Sequence, residues 1–296
     1  MSLKTKIESY INEIDASFGI YIKNIETKEE VNIQGDRLYQ MASVVKVPIL
    51  ATLFDLVEKG EIELTKRVKI EESDFVPGSG VFKTMDCGIE PTIKDLATMM
   101  IIVSDNLATD KILTIVGGAD RVQEKMRSIG LENIHVRHSI WELLSLCAEI
   151  TPEPYTKELS DQIIKCLEEG GYELGGTVFQ ESVENNMSSP KDMCLLLEQI
   201  ASGTFVSEQC SSAIYQILLK QQYQQRIGGK LPRNTTVANK TGSLGSMFND
   251  AGIVDLPENK GAFVITVYSI GNSLEYKGDE PIARISQIAY EHFCGK

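Results

Sequence analysis

The chain has 296 residues, of which 42% are apolar and 24% are charged, as in an ordinary globular protein. That length is enough for one large domain or for two closely packed lobes with a substantial core. The formal net charge of −13, without a long basic block, argues against nucleic acid and anionic membrane surfaces as partners.

The N-terminus and the cysteines bear on the cellular compartment. The first six residues have no hydrophobic signal core, and no apolar stretch approaches the length of a membrane span. The six cysteines show neither close pairing nor the spacing of a metal site, so we expect reduced thiols and no metal. We therefore expect a cytoplasmic protein, unless an export signal was removed ahead of this sequence.

The first third of the chain mixes helical and strand patterns. Apolar residues at helical spacing predict an opening helix over residues 4–14. Alternation over 18–25, then a polar turn and the run 30–33, predicts a β-hairpin. Apolar residues from Met41 to Leu56 recur at helical spacing, which predicts a buried helix with Ser43 in its first turn.

The middle of the chain is almost entirely helical, and the last third returns to strands. Helices are predicted over 92–103, 107–116, 119–129, 140–150, 156–168, 190–200 and 207–220. Strands are predicted over 236–241, 249–255 and 262–269, followed by a closing helix over 281–293. Strands from both ends and helices between them predict an α+β fold: a five-stranded antiparallel sheet flanked by helices, with an inserted all-helical lobe.

Ser43 and Lys46 stand three residues apart where a polar loop gives way to the apolar run. Residues i and i+3 share one face of a helix, so the lysine amine can reach the serine hydroxyl. A serine is a weak nucleophile until a base takes its proton, and a lysine serves as that base only when neutral. Burial and a second cation nearby both lower a lysine pKa toward working pH.

Two further motifs follow in order. Ser104-Asp105-Asn106 comes after an apolar helix, and Lys240-Thr241-Gly242-Ser243 ends a predicted strand. With these three motifs the chain resembles the serine penicillin-recognising family, and class A β-lactamases most of all, from Phe18 to Phe293. The resemblance implies a sheet lobe of residues 1–42 and 205–296, a helical lobe of 43–204, and an active site in the cleft between them.

The resemblance also implies roles for the motif residues in forming an acyl-enzyme. Ser43 would be the nucleophile and Lys46 its base. Ser104 would relay a proton to the leaving nitrogen, and Asn106 would bind the substrate amide and fix Lys46 in place. For Asp105 we favour a structural role as a helix cap.

The third motif is implied to bind the substrate. Lys240 would attract a substrate carboxylate and help keep Lys46 neutral, with the hydroxyls of Thr241 and Ser243 sharing that carboxylate. Gly242 leaves room for the substrate to lie along the strand. The backbone N–H groups of Ser43 and Ser243 would form the oxyanion hole.

The base that would activate water for deacylation has only a partial match in the sequence. Trp141-Glu142 matches the family pattern and makes Glu142 the candidate, but Leu146 and Ile140 replace the asparagine and arginine expected nearby. Glu142 also falls off the apolar face of its helix. The weaker candidates are Glu149, Glu153, Glu173 and Glu181. A longer segment up to residue 188, with a glycine-rich run at 170–176, indicates a rebuilt lid over the site.

These motifs predict a serine hydrolase that opens β-lactam rings or related amides without a cofactor or metal. Two alternatives stay open: a D-alanyl peptidase or esterase of the same fold, and a penicillin-binding or sensing module that is acylated without turnover. The predicted partner is a small molecule, a β-lactam or an amide bearing a carboxylate. No obligate protein partner is indicated. The three histidines fit no Ser-His-Asp order.

Overall fold

The computed structural model describes residues 1–169, 176–271 and 277–295. Its main sheet has five strands in the order β2-β1-β8-β7-β6, all antiparallel. They are β1 (Ser17–Asn24), β2 (Glu30–Ile33), β6 (Val237–Leu244), β7 (Met247–Asp255) and β8 (Ala262–Ile270). Strand β1 pairs along its whole length with β8, so the two ends of the chain close one sheet. The predicted five-stranded antiparallel sheet is confirmed.

A second, small sheet joins distant parts of the chain. Its strands, in spatial order, are β3 (Tyr39–Gln40), β5 (Met187–Ser188) and β4 (Ile134–His135). It was not predicted from the sequence, because a strand of two residues leaves no recognisable alternation. This sheet connects the segment just before Ser43 to β5, which lies just before residue 190, and through β5 to β4.

Ten α-helices lie within the part of the chain that the structure describes. They are α1 (Leu3–Ile11), α2 (Lys46–Glu58), α3 (Ile93–Ile102), α4 (Asn106–Ile115), α5 (Ala119–Ser128), α6 (Ile140–Cys147), α7 (Lys157–Glu168), α8 (Pro190–Ala201), α9 (Glu208–Leu218) and α10 (Asp279–Phe293). Most bounds agree with the prediction within a few residues. Polar caps set many of the starts: the Thr92 hydroxyl accepts the Asp95 N–H, and the Asp95 carboxylate accepts the Thr92 N–H.

The sheet separates two apolar cores. Along β1, Ile20 and Ile22 face the core formed with α1 and α10, whereas Tyr21 faces the core formed with the helical middle. This is the two-residue period of a strand that is buried on both faces. Helix α2 runs through the larger core with every residue from Lys46 to Leu56 buried, which explains why most of its side chains are apolar.

The predicted division into lobes remains a prediction. Helix α8, on the helical side of the predicted boundary at residue 204, packs against β1, β7 and β8. Among the described residues, the helices are all too short or too polar to cross a membrane. The cytoplasmic location is still a prediction.

Candidate active site

Ser43 lies in a tight 3-10 turn, Ala42–Val45, that leads directly into α2. The predicted helix therefore begins with a narrower turn than an α-helix. Ala42 has a φ of +47°, which is unfavourable for a residue with a Cβ and is typical of functional sites. The Asn249 amide fixes the preceding segment by donating to Gln40 O at 2.8 Å and to Met41 O at 3.2 Å.

Lys46 is fully buried, one helical turn from Ser43. Its Nζ donates to Ser104 O at 2.7 Å and to Asn106 Oδ1 at 2.8 Å, and it lies 3.0 Å from Ser104 Oγ. Burial lowers the pKa of this amine to about 7, although the charges of Asp105 and Asp110 oppose the shift. A large fraction of Lys46 is therefore neutral near pH 7, as a general base must be.

Ser104 joins the two lysines of the site. Its hydroxyl lies 3.0 Å from Lys46 Nζ and 3.1 Å from Lys240 Nζ, and its φ of +55° is again left-handed. The Lys240 amine also donates to Thr241 O at 2.6 Å. Burial first, and then the nearby Lys46, hold the pKa of Lys240 well below its ordinary value. A hydroxyl between two amines can pass a proton in either direction.

The other two residues of this motif have separate environments. Asn106 donates from Nδ2 to Pro77 O at 2.8 Å, so its Oδ1 is turned toward Lys46. Asp105 caps α4 by accepting the Ala108 N–H at 2.9 Å, and it also accepts the Val81 N–H at 2.6 Å. This geometry agrees with the structural role favoured for Asp105.

The opposite side of the site is formed by the end of β6, an edge strand of the sheet. Gly242 packs against the turn that carries Ser43: a Cβ added there would lie 2.7 Å from Met41 O and 3.0 Å from Ser43 N. Only glycine allows the strand to come this close. The backbone N–H groups of Ser43 and Ser243 are thereby held on neighbouring segments, as the predicted oxyanion hole requires.

Arg226 is a charged residue of the site that was not predicted from the sequence. Arg226 is buried behind β6, where its Nη1 donates to Gly242 O at 2.7 Å and to Asn249 O at 2.6 Å. Its Nη2 donates to the Ser243 hydroxyl, and its Nε donates to Asp279 Oδ1 at 2.7 Å. The guanidinium thus adds positive charge beside Lys240. A single arginine after a glutamine-rich run gives no pattern from which this position could be read.

These elements enclose a cleft of about 390 Å³. The polar side includes Ser43, Ser79, Ser104, Asn106, Arg226, Thr241, Gly242, Ser243 and Asp279. Facing them is an apolar wall, made of Ile140, Leu143 and Leu144 from α6 together with Leu244 from β6. The candidate nucleophile, relay and substrate-binding groups predicted from the three motifs therefore share one cavity, while Lys46 and Lys240 lie buried behind it.

Glu142 takes part in the capping box at the start of α6, the helix that lines the cleft. Its carboxylate accepts the Ser139 N–H at 2.7 Å, and the Ser139 hydroxyl accepts the Glu142 N–H at 3.1 Å. This capping box starts α6 and turns Glu142 back along its own helix. The residues of α6 that line the cleft are Ile140, Leu143 and Leu144. The catalytic role of Glu142 remains a prediction.

The start of α6 is anchored by Asp110. Its carboxylate accepts the Ile140 N–H at 2.7 Å and the Trp141 N–H at 2.9 Å. Burial raises the pKa of this carboxyl to about 6, against the effect of these two hydrogen bonds. Asp110 therefore fixes the helix whose apolar face closes the cleft.

The weaker glutamate candidates lie elsewhere. Glu149 and Glu153 are exposed beyond the end of α6, and Glu181 forms a surface ion pair with Arg37 at 3.0 Å. Glu173 and most of the predicted glycine-rich run lie outside the described residues.

Several solved structures share this architecture. A mutant of PBP-A, solved as an acyl-enzyme complex with penicillin G, superposes with a TM-score of 0.79 at 25% identity, covering 99% of this chain and 97% of that one. The TLA-1 extended-spectrum β-lactamase has the same fold, with a TM-score of 0.79 at 22% identity over 99% and 98% of the two chains. The fold is thus the one shared by class A β-lactamases and PBP-A.

Sequence comparison gives the family. The Beta-lactamase enzyme family matches residues 2–293, so the chain belongs to this family of hydrolases. The β-lactamase VEB-1 of Pseudomonas aeruginosa is 24% identical over 100% of this chain and 91% of its own length. The extended-spectrum β-lactamase PER-1 of the same organism is 21% identical over 98% and 86%.

Proposed function

We propose that the chain is a serine hydrolase that opens β-lactam rings or related amides through an acyl-enzyme on Ser43. The observation that carries the proposal is the buried chain of contacts from Lys46 through the Ser104 hydroxyl to Lys240, beside Ser43 in one cleft. It supplies a base and a proton relay behind a nucleophile.

The proposed reaction begins with the neutral amine of Lys46. Lys46 takes the proton of Ser43, and Ser43 Oγ forms a bond to the substrate carbonyl carbon. The oxyanion is held by the N–H groups of Ser43 and Ser243. The carbon–nitrogen bond then breaks as the Lys46 ammonium returns the proton through the Ser104 hydroxyl to the leaving nitrogen. Because only neutral Lys46 accepts the proton, acylation should rise with pH through its pKa of about 7.

Substrate orientation would come from the positive end of the cleft. Lys240 belongs to the strand that presents the Thr241 and Ser243 hydroxyls. Arg226 is hydrogen-bonded to the same strand and lines the cleft. A carboxylate on the substrate would therefore be attracted to this end and hydrogen-bonded there. The apolar wall at the other side suits an acyl group with an apolar side chain.

The apolar wall also favours a second candidate, in which the acyl-enzyme persists. Ile140, Leu143 and Leu144 face the cleft, and Glu142 is engaged as a cap, so α6 presents no carboxylate to a hydrolytic water. The cleft is also lined by Asp279, whose carboxylate is paired with Arg226 at 2.7 Å. A penicillin-binding protein or D-alanyl peptidase of this fold would be acylated quickly by a β-lactam and would release the acyl group slowly. The likeness to PBP-A, a mutant of which was solved as an acyl-enzyme with penicillin G, supports this candidate.

The test is intact-mass spectrometry of the protein mixed with benzylpenicillin and with a cephalosporin, followed over time. We expect one adduct on Ser43 that forms faster than it decays, because α6 presents no carboxylate to the cleft and the Asp279 carboxylate is paired with Arg226. An adduct that disappears as quickly as it forms, with hydrolysed drug accumulating, would show an efficient β-lactamase instead. The absence of any adduct with both drugs would contradict the proposed function.

Replacing Glu142 by glutamine separates its two possible roles. Glutamine keeps the oxygen that accepts the Ser139 N–H, and glutamine is common at this position of a capping box. We expect the lifetime of the Ser43 adduct in Glu142→Gln to stay within about twofold of the wild-type value. The lifetime is measured by the decay of adduct mass after excess drug is removed. An adduct trapped in this variant would make Glu142 the deacylating base.

A further inference from the structure

We propose that Ser79 is a positioning residue for Lys46, acting through the two oxygen atoms that hold the lysine amine. The Ser79 hydroxyl donates to Ser104 O at 2.7 Å and to Asn106 Oδ1 at 3.1 Å. These are the same two acceptors that Lys46 Nζ contacts at 2.7 and 2.8 Å. The inference rests on the proposed function, in which Lys46 is the base.

The two shared oxygens decide where the lone pair of Lys46 points. A neutral amine has two N–H groups and one lone pair, arranged tetrahedrally. Ser104 O and Asn106 Oδ1 can only accept hydrogen bonds, so they take the two N–H groups. The lone pair is left for hydroxyl groups, which can donate to it. Any group that fixes these two oxygens therefore fixes the direction in which Lys46 acts as a base.

Ser79 also affects how strongly Lys46 keeps a third proton. Its hydroxyl hydrogen points at the two oxygens and reduces their negative potential at the amine, which favours the neutral form. The charged groups that face Lys46 are Asp105 and Asp110, which favour the ammonium, and Lys240, which opposes it. Around Lys240, Arg226 and Asp250 contribute further charge.

The loop that carries Ser79 is held independently of its hydroxyl. Asn106 donates from Nδ2 to Pro77 O at 2.8 Å and from its backbone N–H to Ser79 O at 3.1 Å. Lys83 donates to Gly78 O in the same loop. A Ser79→Ala substitution should therefore remove one hydrogen bond donor and leave the loop in place.

The experiment measures the rate of Ser43 acylation by a chromogenic cephalosporin from pH 5.5 to 9 in wild type, Ser79→Ala and Ser79→Thr. Thr84→Ala is the matched control, because it removes a hydroxyl of the same segment whose described hydrogen bond goes to Val81 O at 2.7 Å. Below the pKa of Lys46 the acylation rate should fall with falling pH, and this part of the pH profile is called the acid limb. In Ser79→Ala we expect the midpoint of the acid limb to rise by about half a pH unit to one unit. The rate at pH 6 should then fall about three- to tenfold, with the rate at pH 9 within about twofold of wild type.

The remaining variants and outcomes make the inference falsifiable. Ser79→Thr, which keeps a hydroxyl, should restore the wild-type midpoint, and Thr84→Ala should leave it unchanged. A Ser79→Ala midpoint equal to that of wild type would overturn the inference. An equal loss of rate at every pH, with a lower melting temperature, would show a merely structural role and would also overturn it. If wild type itself is not acylated at any pH, the proposed function fails as well.

Discussion

A Ser43→Ala protein is expected to form no covalent adduct with benzylpenicillin under conditions in which wild type is fully acylated. The Ser43 hydroxyl is the candidate nucleophile at the start of α2, and alanine offers no atom that can form the ester. The substitution should leave the fold intact, because the turn is fixed by the Asn249 amide and by the buried face of α2 rather than by the hydroxyl.

Intact-mass measurement followed by peptide mapping tests this prediction. Thr84→Ala, which removes a hydroxyl outside the cleft lining, should be acylated like wild type. Ser104 is the most informative alternative nucleophile to check, because its hydroxyl lies between two amines. An adduct that persists in Ser43→Ala, on Ser104 or on any other residue, would contradict the assignment of the nucleophile.

A Lys46→Met protein is expected to acylate about 10²- to 10⁴-fold more slowly than wild type at pH 8. Methionine is unbranched and fills much of the same buried space, but it has no lone pair basic enough to accept the serine proton. Burial lowers the pKa of Lys46 to about 7, so wild-type acylation should fall as the pH drops through 7. This decrease of the acylation rate at low pH, the acid limb of the profile, should be absent in Lys46→Met.

The measurement is the rate of adduct formation between pH 5.5 and 9, together with thermal unfolding to show that the variant is folded. Lys66→Met is a suitable control, because Lys66 is exposed and its described hydrogen bonds are made by the backbone. A rate within tenfold of wild type, with the acid limb retained, would mean that another group takes the proton from Ser43.

Much of the fold could be predicted because its signals are local. The two-residue period of β1 and the helical period of α2 each follow from burial of one or more faces of a single element. The start of α6 is marked by the capping box of Ser139 and Glu142, two residues that lie within one turn. The small sheet of β3, β5 and β4 has no such signal, because it depends on segments that meet only in the folded chain.

The same distinction applies to the candidate site. Ser43 and Lys46 could be predicted because the two residues share one turn, so their spacing of three is visible in the sequence. Ser79, Arg226 and Asp110 could not be predicted, since each makes its contact with a distant part of the chain. Ser79 contacts the acceptors of Lys46, Arg226 contacts β6, and Asp110 contacts α6. Sequence patterns reveal residues that share an element, whereas such long-range partners need the structure.

The pairing of β1 with β8 has a consequence for the order of folding. During synthesis β1 appears long before β8, yet Ser17 must pair with Ile270 and Asn24 with Phe263. Until then the β1 edge is unpaired and the apolar side chains of Ile20 and Ile22 lack their partners. The helical middle is rich in local contacts and can become compact first. The five-stranded sheet can therefore close only after β8 has been synthesised.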